Sequence, residues 1–174
     1  MDAQLERLLK NYCNVRQNYE AWCFMVNANL KVPQSNTSEH IRNNKLLSHL
    51  CYLSIKDFYL EFYKILKESP DNSDNIFTLL KNLMETNPIK KKEAELNLED
   101  IEKNRIIITQ LCNQRDKYFA HLDKDFESNT YSSVTDIDIN KVFTSIEKAI
   151  VTLTSLETLV IYLEEIPSRD DFKL

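Results

Sequence analysis

Not one glycine occurs in the 174 residues of this chain. Two-residue β-hairpin turns depend on glycine for their positive-φ positions, and the loops that cradle nucleotide phosphates depend on it for close backbone approach. A chain without glycine is therefore a poor candidate for an all-β fold, and it has no glycine-rich phosphate loop. Helices joined by polar connections remain. Hydrophobic residues make up 43% and charged residues 28%, the balance of an ordinary soluble domain. A chain this long predicts one domain, which buries roughly 70% of the surface its unfolded form exposes.

The apolar spacing predicts where those helices run. Leu5, Leu8, Leu9, Tyr12, Val15, Tyr19, Trp22, Cys23 and Val26 fall three or four apart, marking a helix from about Asp2 to Leu30. It ends before Pro33, because the residue preceding proline avoids the helical region. A second helix is expected from about Glu39 to Glu68, with Ser38 as N-cap. Its inner face carries Leu46, Leu47, Leu50, Leu53, Phe58, Phe62, Ile65 and Leu66. A short helix follows from about Asp74 to Met84, capped by Ser73 or Asp74, with Ile76, Phe77, Leu80 and Leu83 inward. Pro88 to Leu122 reads as one helix or two, with a weak point near Asn97. The last helix is expected from about Ile139 to Ile166, where Val142, Ile146, Ala149, Leu153, Leu156, Val160 and Leu163 keep a period near 3.5. The expectation is all-α: an antiparallel four-helix bundle with an extra short helix, a single domain over residues 1–166 and a polar tail over 167–174.

One residue breaks the helical pattern. Ile101, Ile108, Arg115 and Leu122 recur every seven residues, so a permanent cation stands on an otherwise aliphatic stripe. A charge on a buried seam is costly unless something pairs with it, and such breaks of the folding rule concentrate at functional sites. The structural reading is an ion pair, with Glu20 or Glu61 as partner. The functional reading starts from His121, six residues on. Six residues of ideal helix turn through about 240° beyond one full turn and rise about 9 Å, so the two side chains do not meet within one helix. A cleft lined by a second copy of the chain would bring them onto one phosphate.

The chemistry of that pair is specific. Guanidinium is planar, always charged and matched to phosphate oxygens. Imidazole moves protons near neutral pH. Together they suit RNA cleavage without a metal. His121 would take the proton of a ribose 2′-hydroxyl or supply one to the leaving oxygen, and Arg115 would stabilise the charge growing on the phosphate, leaving a 2′,3′-cyclic phosphate. Asp116 is placed to orient either partner, Lys117 and Lys124 to hold flanking phosphates, and Tyr118 to stack on a base.

The string Gln-Arg-Asp-Lys-Tyr-Phe-Ala-His-Leu-Asp-Lys-Asp, residues 114–125, resembles the HEPN superfamily (higher eukaryotes and prokaryotes nucleotide-binding). Its motif is an Arg, four to six residues and a His, usually with a polar residue after the Arg. The string looks like the branch found among phage abortive-infection proteins. The resemblance implies a helical bundle, a homodimer, a composite site at the dimer cleft and a metal-independent endoribonuclease acting as a toxin or in phage defence, with an antitoxin as a further partner. It equally admits a catalytically silent module that holds nucleotide, RNA or protein in the same cleft. Asp116 stands where the family often has asparagine, and Asp123 where relatives controlled by tyrosine modification have that tyrosine.

The remaining features narrow the partners. A formal charge of −5 is the wrong sign for a general nucleic-acid coat, so RNA contact is expected only in a local basic cleft, and DNA is not expected. Cys13, Cys23, Cys51 and Cys112 form no C-x-x-C pair and fall within helical patterns, so they read as buried thiols of a cytosolic protein, with no metal and no cofactor implied. His40 and His49 read as surface or capping residues, and Lys90-Lys91-Lys92 as a solvated first-turn run. The start, Met1 to Arg7, lacks the basic and apolar regions of a signal peptide, and Ala149–Leu163 is too polar and short to span a bilayer. The expected location is cytoplasmic, with no membrane partner.

Overall fold

A computed structural model describes residues 3–30, 44–69, 72–116 and 134–164. Among these residues the fold is all-helical. Its helices are α1 (Ala3–Leu30), α2 (Lys45–Leu66), α3 (Ile76–Thr86), α4 (Lys91–Lys103), α5 (Arg105–Gln114), α6 (Asp136–Leu153) and α7 (Leu156–Glu164). No described residue has a positive φ, in keeping with the lack of glycine.

All seven helices contribute to one hydrophobic core. Its centre is aromatic. Phe143 of α6 packs 5.4 Å from Tyr19 of α1 and 5.2 Å from Phe62 of α2, and Phe58 lies 5.1 Å from Tyr19. Centroid separations of this size are the favoured range for ring pairs. The guanidinium of Arg16 covers the Phe143 ring at 4.5 Å.

Two buried phenols fix the direction of α6. The Tyr12 hydroxyl donates to Glu147 Oε1 at 2.5 Å, and the Tyr19 hydroxyl donates to Asp136. Contacts that climb α1 descend α6, so these helices run antiparallel. Burial, reinforced by the neighbouring carboxylates, pushes both phenols well above their usual range. Helix α4 runs antiparallel to α6 in the same way. Asn97 Nδ2 donates to Thr152 Oγ1 at 2.7 Å, Lys148 pairs with Asp100 at 3.1 Å, and Asn104 Nδ2 donates to Ser145 Oγ at 3.0 Å.

Several boundaries differ from the sequence expectation, each for a local reason. Helix α2 starts at Lys45, where the Asn44 side chain accepts from the Leu46 and Leu47 amides, and the expected start near Glu39 lies outside the described residues. Ser38 and His40 lie outside the described residues. Helix α3 is capped by Asn75, whose Oδ1 accepts from Thr78 N at 2.9 Å, and not by Ser73 or Asp74. The α4–α5 break falls at Asn104, not Asn97. Asn104 N–H closes a tight turn onto Ile101 O at 3.0 Å while its side chain ties to α6. Asn97 is instead buried within α4.

The long C-terminal helix is two helices. Thr154 leaves the helical region (φ −120°, ψ −107°), and Ser155 Oγ accepts from Thr158 N at 3.1 Å to begin α7. That restart changes the helical phase. Leu159 is buried, whereas Leu156 (64% exposed) and Val160, both expected inward, face out. Leu46 and Leu50 near the start of α2 are likewise exposed rather than internal.

Candidate functional site

The site is built where the end of α5 meets the end of α2. Arg105 fixes the start of α5. Its guanidinium donates to Glu68 Oε1 at 2.8 Å and to Glu102 Oε2 at 2.8 Å, and it covers the Phe77 ring at 4.8 Å. Glu68 also takes Lys81 at 2.9 Å. Burial works to raise the Glu68 carboxyl, but hydrogen bonds and charge from Arg105 and Lys81 together prevail and hold it below its ordinary value. The junction of α2, α3 and α5 is thus tied by a saturated ionic network.

From that anchor α5 runs as the stripe anticipated. Ile101 at the end of α4 and Ile108 are buried, with Leu111 and Cys112 beside them. Burial lifts the Cys112 thiol to about 11, which leaves it protonated and unreactive near neutral pH. Arg115 closes the stripe. Its backbone is still helical (φ −56°, ψ −49°), and its N–H donates to the Leu111 and Cys112 carbonyls. The following turn widens at Arg115 and Asp116.

The side chain of Arg115 is 29% exposed and sits in a defined setting. Its guanidinium carbon lies 4.2 Å from the centroid of the Tyr63 ring of α2. Nη1 donates to Asp116 Oδ1 at 2.9 Å. Nε is buried and has no hydrogen-bond partner among the described residues. A buried guanidinium N–H left unpaired costs about 1–3 kcal/mol, so the arrangement is one that an incoming acceptor would relieve. The carboxylates first considered as structural partners are engaged elsewhere. Glu61 pairs with Lys64 at 2.6 Å, and Glu20 stands 3.8 Å from Arg16.

Of the six residues singled out in the sequence, Arg115 and Asp116 are therefore brought together as an ion pair. Lys117, Tyr118, His121 and Lys124 lie outside the described residues. Tyr63 was not anticipated. The apolar pattern of α2 assigns Phe58, Phe62, Ile65 and Leu66 inward, which passes over a tyrosine half-buried at the helix flank. The one available signal is its place four residues before Lys67 in the last turn of a helix.

Other features stand apart. His49 is exposed and stacks on Tyr52, with centroids 6.5 Å apart. Two surface grooves, one of 550 Å³ beside Lys81 and Pro88 and one of 480 Å³ between α4, α6 and α7, include neither Arg115 nor Asp116. Among the described residues no group of three or more His, Cys, Asp or Glu side chains could hold a metal ion, and no helix is long and apolar enough to cross a membrane. No family model, curated protein or solved structure matches the chain.

Proposed function

We propose that the protein is a metal-independent endoribonuclease of a toxin or phage-defence system, working as a homodimer with Arg115 and His121 from each copy lining one cleft. The observation that carries this reading is the setting of Arg115. The guanidinium is oriented by Tyr63 and Asp116, and it keeps a buried N–H without a partner among the described residues. This is the disposition expected of a group that waits for an anionic acceptor. One imidazole accepts the 2′-hydroxyl proton as that oxygen attacks the adjacent phosphorus. The bond to the 5′-oxygen breaks, and a protonated imidazole of the second copy supplies the proton that oxygen takes up. The products are a 2′,3′-cyclic phosphate and a 5′-hydroxyl, and Arg115 bears the extra charge on the phosphate oxygens between these states.

The Arg115–Asp116 pair at 2.9 Å favours a second reading. A guanidinium already neutralised by its neighbour suits a silent binding module in which the cleft holds RNA, nucleotide or a protein partner, an antitoxin included. Incubation of the full-length protein with RNA in excess chelator separates the two. The enzyme reading expects wild type to yield cyclic-phosphate ends and His121→Ala to yield none, with both dimeric and folded. RNA left intact by a folded dimer, together with growth unaffected by expression of either form, would rule out the enzyme.

A further inference from the structure

A second cation shares the ring that orients Arg115. Lys67, the residue that caps the C-terminus of α2 four positions after Tyr63, places its Nζ 5.7 Å from the Tyr63 centroid. With Arg115 at 4.2 Å from that centroid, the two charges are at most about 10 Å apart, within one Debye length at 0.1 M salt, so their fields add. The backbone at Lys67 is pinned on both sides. Its N–H donates to Tyr63 O at 2.8 Å, and its carbonyl accepts from Asn72 Nδ2 at 3.2 Å.

The charges here do not balance. Glu61 is taken by Lys64, and Glu68 by Lys81 and Arg105. Among the described residues Lys67 has no carboxylate partner, and Asp116 is the one carboxylate paired with Arg115. Among the described residues, two cations around one ring with one carboxylate leave a positive charge uncompensated, on a chain whose formal net charge is −5. Like charges gathered in this way repel unless an anion joins them.

We propose that Lys67 is a phosphate-binding residue of the Arg115 site and that Tyr63 is the positioning residue for both cations, so that the end of α2 grips the ribose–phosphate backbone of single-stranded RNA. This rests on the reading of Arg115 as an RNA-facing group, and it adds a helix that the Arg–His segment does not contain. Lys67 presents a compact charge and Arg115 a planar fork, a pair that reads the backbone and not the base. The ring face covered by the guanidinium is not offered for base stacking. Binding at this end of the site is therefore tolerant of sequence.

The test uses the full-length chain carrying His121→Ala, so that bound RNA is not consumed, and a fluorescent single-stranded oligoribonucleotide of mixed sequence titrated at several salt concentrations. Adding Lys67→Gln is expected to weaken binding about fivefold and to reduce the slope of log affinity against log salt by about 0.7, the value for one phosphate contact on a single strand. Lys67→Arg should restore both. Tyr63→Leu should weaken binding while Tyr63→Phe, which keeps the ring, does not. Affinity and salt slope unchanged by Lys67→Gln overturn the proposal, as does absence of RNA binding. Lys67-dependent binding by a wild type that does not cut RNA upholds the proposal and sinks the ribonuclease. Cutting by wild type with Lys67-independent binding does the reverse.

Discussion

The guanidinium of Arg115 lies over the ring of Tyr63, with its central carbon 4.2 Å from the ring centroid, although the two residues come from different helices. A half-buried contact of this kind contributes about 0.5–2 kcal/mol. It also sets the plane of the guanidinium, and a planar donor fork is useful to a phosphate only when its plane is fixed.

Arg115→Lys tests whether that plane matters. Lysine keeps the charge and loses the fork and the stacking surface. RNA cleavage is expected to fall by about 100-fold or more, as for removal of an anion-stabilising donor, while the melting temperature moves little. A variant that melts much earlier yet retains its cleavage rate would make Arg115 a structural residue.

Asn97 tests the α4–α6 seam. Its side chain donates to Thr152 Oγ1 at 2.7 Å, Thr152 donates to Glu93 Oε1 at 2.8 Å, and Lys90 Nζ donates to the Thr152 carbonyl at 2.6 Å. Asn97→Ala removes one donor from this buried set and should cost about 1–3 kcal/mol in urea denaturation. Lys56→Ala, on α2 and outside that hydrogen-bonded set, should stay within about 0.5 kcal/mol.

The pair between Asp100 and Lys148 gives an acid-side prediction. The Lys148 hydrogen bond, against an opposing effect of burial, holds the Asp100 carboxyl below its ordinary range. The folded state therefore gives up this proton more readily than the unfolded state. The stabilisation is present above the unfolded value of about 3.9 and is lost as pH falls through the folded value. Asp100→Asn should cost about 0.2–1 kcal/mol at pH 7, and the penalty should shrink toward nothing near pH 2, followed by thermal melts across that range.

On the alkaline side, Tyr12 and Tyr19 are expected to resist ionisation. Burial raises both phenols, so the folded form holds these protons more tightly than the unfolded chain. Their contribution is intact below the ordinary tyrosine value of about 10 and is lost as pH rises above it. Ultraviolet titration of the eight tyrosines should show that Tyr12 and Tyr19 ionise only with loss of helical circular dichroism. Eight phenols titrating together, before unfolding, would contradict the buried pairs with Glu147 and Asp136.

Phe143 joins α1 and α2 through ring contacts with Tyr19 and Phe62. Phe143→Ala should cost about 3–5 kcal/mol, enough to unfold a marginal domain, whereas Phe143→Leu should cost less and remain folded by circular dichroism.

How much of this was legible depended on how local each cause is. The inward faces of α1 and α3 were readable, because Leu8, Tyr12, Val15 and Tyr19, or Ile76, Phe77 and Leu80, follow one unbroken helical period. The C-terminal helix was misread beyond Leu153 because a period near 3.5 ran straight through Thr154, and the Ser155 cap that resets it is one short side chain. The break near Asn97 was misplaced for the opposite reason. An asparagine in a helix usually signals an end, but this one is kept inside by a partner on α6. Arg115 announced itself as a charge on an apolar stripe, but Glu20 and Glu61 were the wrong partners, since carboxylates far apart in sequence can be ranked only once the helices are docked.

The sequence by itself determined that the chain is helical, since a chain without glycine and with long three-and-four apolar spacing has few other ways to bury its side chains, and it marked Arg115 as out of place. Only the tertiary structure decided what Arg115 touches. Tyr63 and Lys67 stand about fifty residues earlier, and nothing in either segment encodes the meeting. It arises because the Arg105–Glu68 pair ties the start of α5 to the residues that follow α2 and the shared core packs the rest of α5 along α2, and helix docking of that kind is a property of packed surfaces and not of local pattern.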